Sequence, residues 1–178
     1  MSIKAILFDA GNTLIFMDPR EILPILQRHG GTADEASFWK AEFRARKILS
    51  SRIDEGAFGT ENEIWTEYFV NFFEACGVEK DRLKEAGEDV RDVHQERHLW
   101  TWMAPETPEA LDRLREAGYR LGVISNADGR MEGLIEGVGI RDRFEFVMDS
   151  DVAGIEKPHA EIFLRGFQRL DVNPSEVL

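Results

Sequence analysis

The 178-residue sequence predicts an α/β protein whose parallel-sheet core is interrupted by an inserted helical domain. Short apolar runs at Ala5–Phe8, Leu121–Ile124 and Phe144–Met148 each end in polar turn residues, as strands buried on both faces do. Helical periodicities separate the later runs, and strands that alternate with helices pair in parallel through right-handed crossovers. Between Leu14 and Ala104 no strand pattern survives and helix-capping signals recur. Residues 15–104 are therefore expected as one inserted helical domain, and residues 1–14 and 105–178 as a discontinuous α/β core.

Taken in order, Ala5-Ile6-Leu7-Phe8 is the first strand, closed by Asp9 and the turn-forming Gly11-Asn12. In the insert, Asp18 with Glu21, Thr32 with Glu35 and Thr60 with Glu63 read as capping boxes. Phe38, Trp39, Phe43 and Leu49 form an apolar stripe on one helix. Ile64, Trp65, Tyr68, Phe69, Phe72, Phe73 and Cys76 form another at i, i+3, i+4 spacing, and the two stripes predict an antiparallel hairpin. Thr107 as a cap and Pro108 in the first turn open a further helix, with Ala110, Leu111, Leu114 and Ala117 on one face and Gly118 at its end. Met131–Val138 is the next, and Ile162, Phe163, Phe167 and Leu170 mark a third after Pro158. Asn173-Pro174-Ser175-Glu176 reads as a capped turn, and Val177-Leu178 as the opening of another buried strand.

Composition narrows the function. With 22 basic and 34 acidic residues the formal charge is −12, which repels phosphate backbones and anionic bilayers, so nucleic-acid and membrane partners are disfavoured. Small anionic substrates remain accessible to a few local cations and backbone N–H groups. No apolar run of about 18 residues occurs, and Met1-Ser2-Ile3-Lys4 leads straight into the first strand, so a cytoplasmic location is expected. The single cysteine, Cys76, excludes an internal disulfide and a multi-thiolate zinc site.

In an open α/β sheet, ligands bind beyond the carboxyl ends of the strands, where Asp9, Ser125 and the Asp149–Lys157 segment fall. A carboxylate at Asp9 could attack an electrophilic phosphorus or carbon, Ser125 and Asn126 could bind an oxyanion, and Lys157 could neutralise charge. In this order, Phe8-Asp9-Ala10-Gly11-Asn12-Thr13-Leu14, Val123-Ile124-Ser125-Asn126 and Gly154-Ile155-Glu156-Lys157-Pro158 with Ile162-Phe163 resemble three motifs of the haloacid dehalogenase-like (HAD) hydrolase superfamily. The resemblance spans essentially the whole chain and is to subfamily I, in which a helical cap follows the first motif. It implies a Rossmann-like core, Asp9 as nucleophile, Thr13 orienting the first loop, Ser125 binding the transferring group's oxygens, and Lys157 stabilising Asp9 and the bound anion, so that Thr13, Ser125 and Asn126 are the expected substrate-binding residues. It also implies magnesium, held by the Asp9 carboxylate and the Gly11 backbone carbonyl.

Two departures qualify that implication. The phosphatases of the superfamily carry an aspartate two residues after the nucleophile as general acid and base, where this chain has Gly11; losing such a group typically costs a factor of about 10² to 10⁴. The dehalogenases and phosphonoacetaldehyde hydrolases also lack it. The fourth, acidic motif, which holds magnesium in the superfamily, would follow Leu178; Asp149 and Asp151 are acids that could approach the site or form a solvated edge. The chain thus reads as a fragment, and a sheet left with an open edge is expected to self-associate. The expected function is a magnesium-dependent phosphatase of a small phosphorylated metabolite. The alternatives are a 2-haloacid dehalogenase-like or phosphonatase-like hydrolase, and a non-catalytic binding protein on a degraded hydrolase fold.

Overall fold

The computed structural model describes residues 2–54 and 62–178 and divides into two compact units, Met1–Met17 with Trp100–Leu178 and Asp18–Leu99. The first unit is built on a parallel sheet of β1 (Ala5–Phe8), β4 (Arg120–Ser125) and β5 (Phe146–Asp149), ordered β1-β4-β5. Phe8 lies opposite Val123, and Ser125 opposite Asp149, so the three strands end at one edge. Val177 adds a parallel bridge to Ala5 on the free side of β1, and Leu178 exchanges backbone hydrogen bonds with Ala5 and Leu7. The terminal residues thus pair along β1 as a strand would, but Leu178, expected to be buried, is 75% exposed.

Period-two alternation assigns each face a core. Leu121, Val123 and Val147 pack with Leu111 of α5 (Thr107–Glu116) and Met131 and Ile135 of α6 (Met131–Gly137). Ile124, Phe146 and Met148 pack on the other face with Ile162 of α8 (Ala160–Arg169). Gly122 is required between these layers, because a Cβ there would meet the Phe146 ring at 2.6 Å. Gly166 lets α8 approach β4 for the same reason, its Cβ position lying 2.8 Å from Ile124 Cδ1. The short α7 (Ser150–Ala153) follows β5 directly. Thr107 is the first residue of α5 and makes no capping hydrogen bond, a correction of its expected place just before the helix.

The expectation that no strand falls between Leu14 and Ala104 is corrected by a small antiparallel ribbon. In it β2 (Phe16–Met17) pairs with β3 (Trp100–Trp102), and the Phe16 and Trp102 rings meet edge to face at 5.8 Å. Strands of two and three residues are too short to show an alternation pattern. The units accordingly divide at Met17/Asp18 and Leu99/Trp100.

The second unit comprises α1 (Pro19–Arg28), α2 (Glu35–Asp54), α3 (Asn62–Ala75) and α4 (Leu83–Arg97). Asp18 caps α1 by accepting the Arg20 N–H, and His29 at its other end bonds through Nε2 to Asp89 of α4 at 2.9 Å. Helix α2 is capped by Asp34, which accepts the Ser37 N–H at 2.8 Å, and not by Thr32. Thr60 lies outside the described residues, and with it the expected box with Glu63; the Ile64 side chain does too. Phe38 meets Phe72 at 5.2 Å while Glu42 meets Tyr68, so α2 and α3 run antiparallel. Phe43, expected on the packing stripe, is 61% exposed, because the turn after Phe38 returns to the core at Glu42 and Ala45. Among the described residues no helix is long and apolar enough to cross a membrane.

Candidate active site

Asp9 is the first residue beyond β1, and the loop it opens is wound tightly. The Ala10 carbonyl accepts the N–H groups of Thr13, Leu14 and Ile15 at 3.2, 2.8 and 3.0 Å, and the Ile15 carbonyl accepts that of Asn12 at 2.7 Å. This winding sets Asn12 at φ = 60°, a left-handed conformation that asparagine tolerates better than most residues. Trp100 Nε1 donates to Asn12 Oδ1 at 3.1 Å and holds the loop from the side. The hydrogen bonds that close the loop use the Ala10 and Ile15 carbonyls and not that of Gly11.

Lys157 reaches this edge from the segment after α7. Its Nζ donates to Asp9 Oδ1 at 2.5 Å and to the Ile124 carbonyl at 2.9 Å. Asn126, just past β4, accepts the Lys157 N–H at 2.7 Å and donates from Nδ2 to the Lys157 carbonyl at 2.9 Å. The Lys157–Pro158 peptide is cis. The Asp9 and Lys157 side chains are 45% and 23% exposed, so a small solute can reach the carboxylate. An ion pair this open is worth only about 0–1 kcal/mol, and an incoming anion can compete for the ammonium.

Of the residues expected at the site, Asp9, Lys157 and Asn126 are joined directly. Ser125 is buried at the end of β4, next to the carbonyl that Lys157 uses. Thr13 contributes its N–H to the Ala10 carbonyl, and among the described residues no hydrogen bond joins its hydroxyl to Asp9 or Lys157. Asn126, expected to bind substrate, uses its carbonyl and an amide N–H on the Lys157 main chain.

Asp149 is neither a solvated edge nor a free metal ligand. It is 5% exposed and accepts the N–H groups of Gly129, Met131 and Asp151 at 3.0, 3.1 and 3.0 Å. Ser150 Oγ adds a bond to the Ala127 N–H at 3.1 Å, so the two residues together shape the loop after β4. The Asp-Ser-Asp sequence after a strand carried a signal for this, since Asp at a helix start accepts an N–H two residues on. The Asn126–Lys157 pairing spans 31 residues and had no local signal. A hard cation such as magnesium takes oxygen ligands, and the Asp9 carboxylate and the Gly11 carbonyl are donors of that class.

The family model for haloacid dehalogenase-like hydrolases matches residues 3–178. Haloacid dehalogenase-like hydrolase domain-containing protein 3 of Bos taurus is 42% identical over 151 residues, 83% of this chain and 60% of its own length. The Xenopus laevis protein of that name is 26% identical over all of this chain and 75% of its own length. A glyceraldehyde 3-phosphate phosphatase of Pyrococcus abyssi is 29% identical over 78% of this chain and 64% of itself. The chain thus spans between about 60% and 75% of these relatives. Among solved structures, a magnesium-bound HAD-hydrolase of Bacillus subtilis shares the fold at a TM-score of 0.62 with 16% identity, over 99% of this chain and 77% of that one. An L-2-haloacid dehalogenase matches at 0.56 with 21% identity, over 99% and 77%. A match across nearly every residue, over a parallel sheet with Asp9 and Lys157 paired at its carboxyl edge, makes this chain a member of the haloacid dehalogenase-like hydrolase family.

Proposed function

We propose that this chain forms the catalytic part of a phosphatase acting on a small phosphorylated metabolite, with Asp9 as the nucleophile. The observation that carries the reading is the exposed Asp9 carboxylate held 2.5 Å from the Lys157 ammonium beyond the end of β1. An Asp9 oxygen attacks phosphorus, the ester P–O bond breaks, and the leaving oxygen departs with the electron pair, giving an aspartyl phosphate. Water then attacks that phosphorus and the acyl-phosphate bond breaks, which restores the carboxylate and releases inorganic phosphate with the water's protons. Lys157 offsets charge on the phosphoryl oxygens, and the Ser125 hydroxyl donates to them; a phosphoryl transition state is stabilised mainly by such positioning and electrostatics. Thr13 keeps the nucleophile loop in shape through its N–H. The Asp9 carboxylate and Gly11 carbonyl would hold magnesium, which when bound neutralises developing phosphoryl charge. The relative named glyceraldehyde 3-phosphate phosphatase supports a small phosphate ester as substrate class. The helical unit Asp18–Leu99 is read as the part that selects the substrate.

With Gly11 in place of a proton donor, activity should be greatest where the leaving group needs no proton. 4-Nitrophenyl phosphate should be hydrolysed in a magnesium-dependent reaction, and Asp9→Asn should lower kcat by at least about 10³, since an amide cannot form the aspartyl phosphate. Phosphate release undiminished by Asp9→Asn would remove the reading. A Cβ at Gly11 meets nothing nearer than Trp100 Cδ1 and Nε1, both at 3.9 Å, so Gly11→Asp has room. It should raise turnover of alkyl phosphates by about tenfold or more, part of the gain a positioned acid gives.

Gly11 also favours a second reading, in which Asp9 displaces halide from a 2-haloacid carbon and water hydrolyses the resulting ester. Halide release without added metal would transfer the assignment to that chemistry. Release of neither anion across a broad panel would leave a binding protein on a hydrolase fold.

A further inference from the structure

We propose that Asn126 is a positioning residue that acts on the reaction through Lys157, a role that rests on the Asp9–Lys157 reading of the site. Its side-chain amide takes both main-chain groups of one residue, accepting the Lys157 N–H at 2.7 Å and donating to the Lys157 carbonyl at 2.9 Å. Two antiparallel bonds to the same residue fix the place of its Cα and the tilt of both its peptide planes, as a strand partner would. Lysine has a flexible stem of four carbons and no geometry of its own, so an ammonium is only as well placed as the main chain that carries it. From that fixed origin the stem runs to the Ile124 carbonyl at 2.9 Å and ends on Asp9 Oδ1. Ile124 and Asn126 flank Ser125 at the end of β4, so one strand end supplies both the clamp for the Lys157 backbone and the acceptor for its Nζ. Among the described residues no other hydrogen bond ties the Lys157 main chain to the sheet, and the segment from Gly154 to His159 is partly or largely exposed.

An amide committed to a neighbouring main chain predicts a kinetic signature different from that of a substrate ligand. With 4-nitrophenyl phosphate, Asn126→Ala should lower kcat by about 10- to 100-fold and leave KM within about threefold. Added to Lys157→Ala, it should cost less than about threefold more, because the residue it positions is gone. Asn126→Asp keeps the acceptor for the Lys157 N–H and loses the amide donor, so its kcat should fall between wild type and Asn126→Ala; it decides the matter if the alanine variant, checked by thermal melting, does not fold. A loss expressed mainly in KM, or an equal loss in the Lys157→Ala background, would overturn the proposal. If the chain releases no phosphate, the phosphatase reading fails on its own, and the positioning role is read without turnover. The ¹³C resonance of dimethylated Lys157, assigned by its loss in Lys157→Arg, should move in Asn126→Ala in the direction it moves in Asp9→Asn. A resonance unmoved by Asn126→Ala overturns the proposal.

Discussion

Asp149 of the sheet unit and Glu42 of the helical unit are both buried carboxylates, satisfied by opposite means. In the sheet unit, Asp149 accepts three backbone N–H groups, from Gly129, Met131 and Asp151. In the helical unit, Glu42, 1% exposed, accepts the Tyr68 hydroxyl at 3.2 Å and pairs with Arg46 at 3.0 Å, both side chains. Main-chain donors cannot swing away to another partner, so the Asp149 anion dictates the path of the loop that begins at Asn126. Side-chain donors adjust by rotation, and burial wins at Glu42, raising its pKa against the lowering by Arg46 and Tyr68. Tyr68 is pushed up in turn, first by its own burial and then by the neighbouring carboxylate. Asp149 thus fixes the backbone of a loop, whereas Glu42 ties one helix to another.

The largest effect should come from Asp149→Ala, which strands three N–H groups at the edge of the sheet. A buried donor left without its acceptor costs roughly 1–3 kcal/mol, so a loss of about 3 kcal/mol or more is expected in urea unfolding. Asp149→Asn retains one acceptor oxygen and should lose about half as much. A cost below about 1 kcal/mol for the alanine variant would mean that packing, and not the anion, sets the loop.

Glu42→Gln should lie within about 1 kcal/mol of wild type at neutral pH, since it keeps an acceptor for Tyr68 and removes a charge that burial disfavours. Its signature is in the pH dependence. Because the folded pKa of Glu42 is raised above the ordinary value of 4.5, the folded state binds a proton more readily. Wild-type stability should therefore fall as pH rises from about 4.5 through the raised value, and the glutamine variant should lack that fall. Unfolding midpoints measured across this window check it, and parallel curves for the two proteins would break the contrast with Asp149.

What was legible in the sequence follows the same division between local and distant signals. The sheet strands, the crossover helices, the opening of a strand at Val177 and the positions of Asp9 and Lys157 are all marked by runs and turn residues close by in the chain. The ribbon of Phe16–Met17 with Trp100–Trp102 was not, because its pairing joins segments more than 80 residues apart and neither is long enough to alternate. On α2 the aromatic stripe suggested Phe43 as core, yet helical rotation brings Glu42 inward, and a glutamate is read as core only when its partner is known. Tyr68 is that partner, 26 residues on. The pairing of Asn126 with the Lys157 main chain was not legible for a similar reason, since the two residues lie on different loops.

Glu176 sharpens the contrast with the smallest effect, because it mixes both kinds of donor at a partly exposed position beside the exposed Lys4. Its carboxylate pairs with Lys4 Nζ at 2.5 Å and accepts the Asn173 N–H and Nδ2, each at 3.0 Å. Lys4 first, then the two Asn173 donors, hold its pKa down to about 2. A depressed folded pKa contributes stability that is present above the ordinary value of 4.5 and is lost as pH falls towards 2, the opposite sign to Glu42. Exposed pairs are heavily screened, so Glu176→Gln should lower the melting temperature at pH 7 by no more than about 2 °C. The difference should close as pH falls through that window. Because Lys4 and Glu176 flank β1 and the residues that pair with it, while Glu42 lies in the helical unit, a double variant at Glu42 and Glu176 should show the two pH effects adding without interaction. Non-additive curves would mean that the two units do not titrate independently.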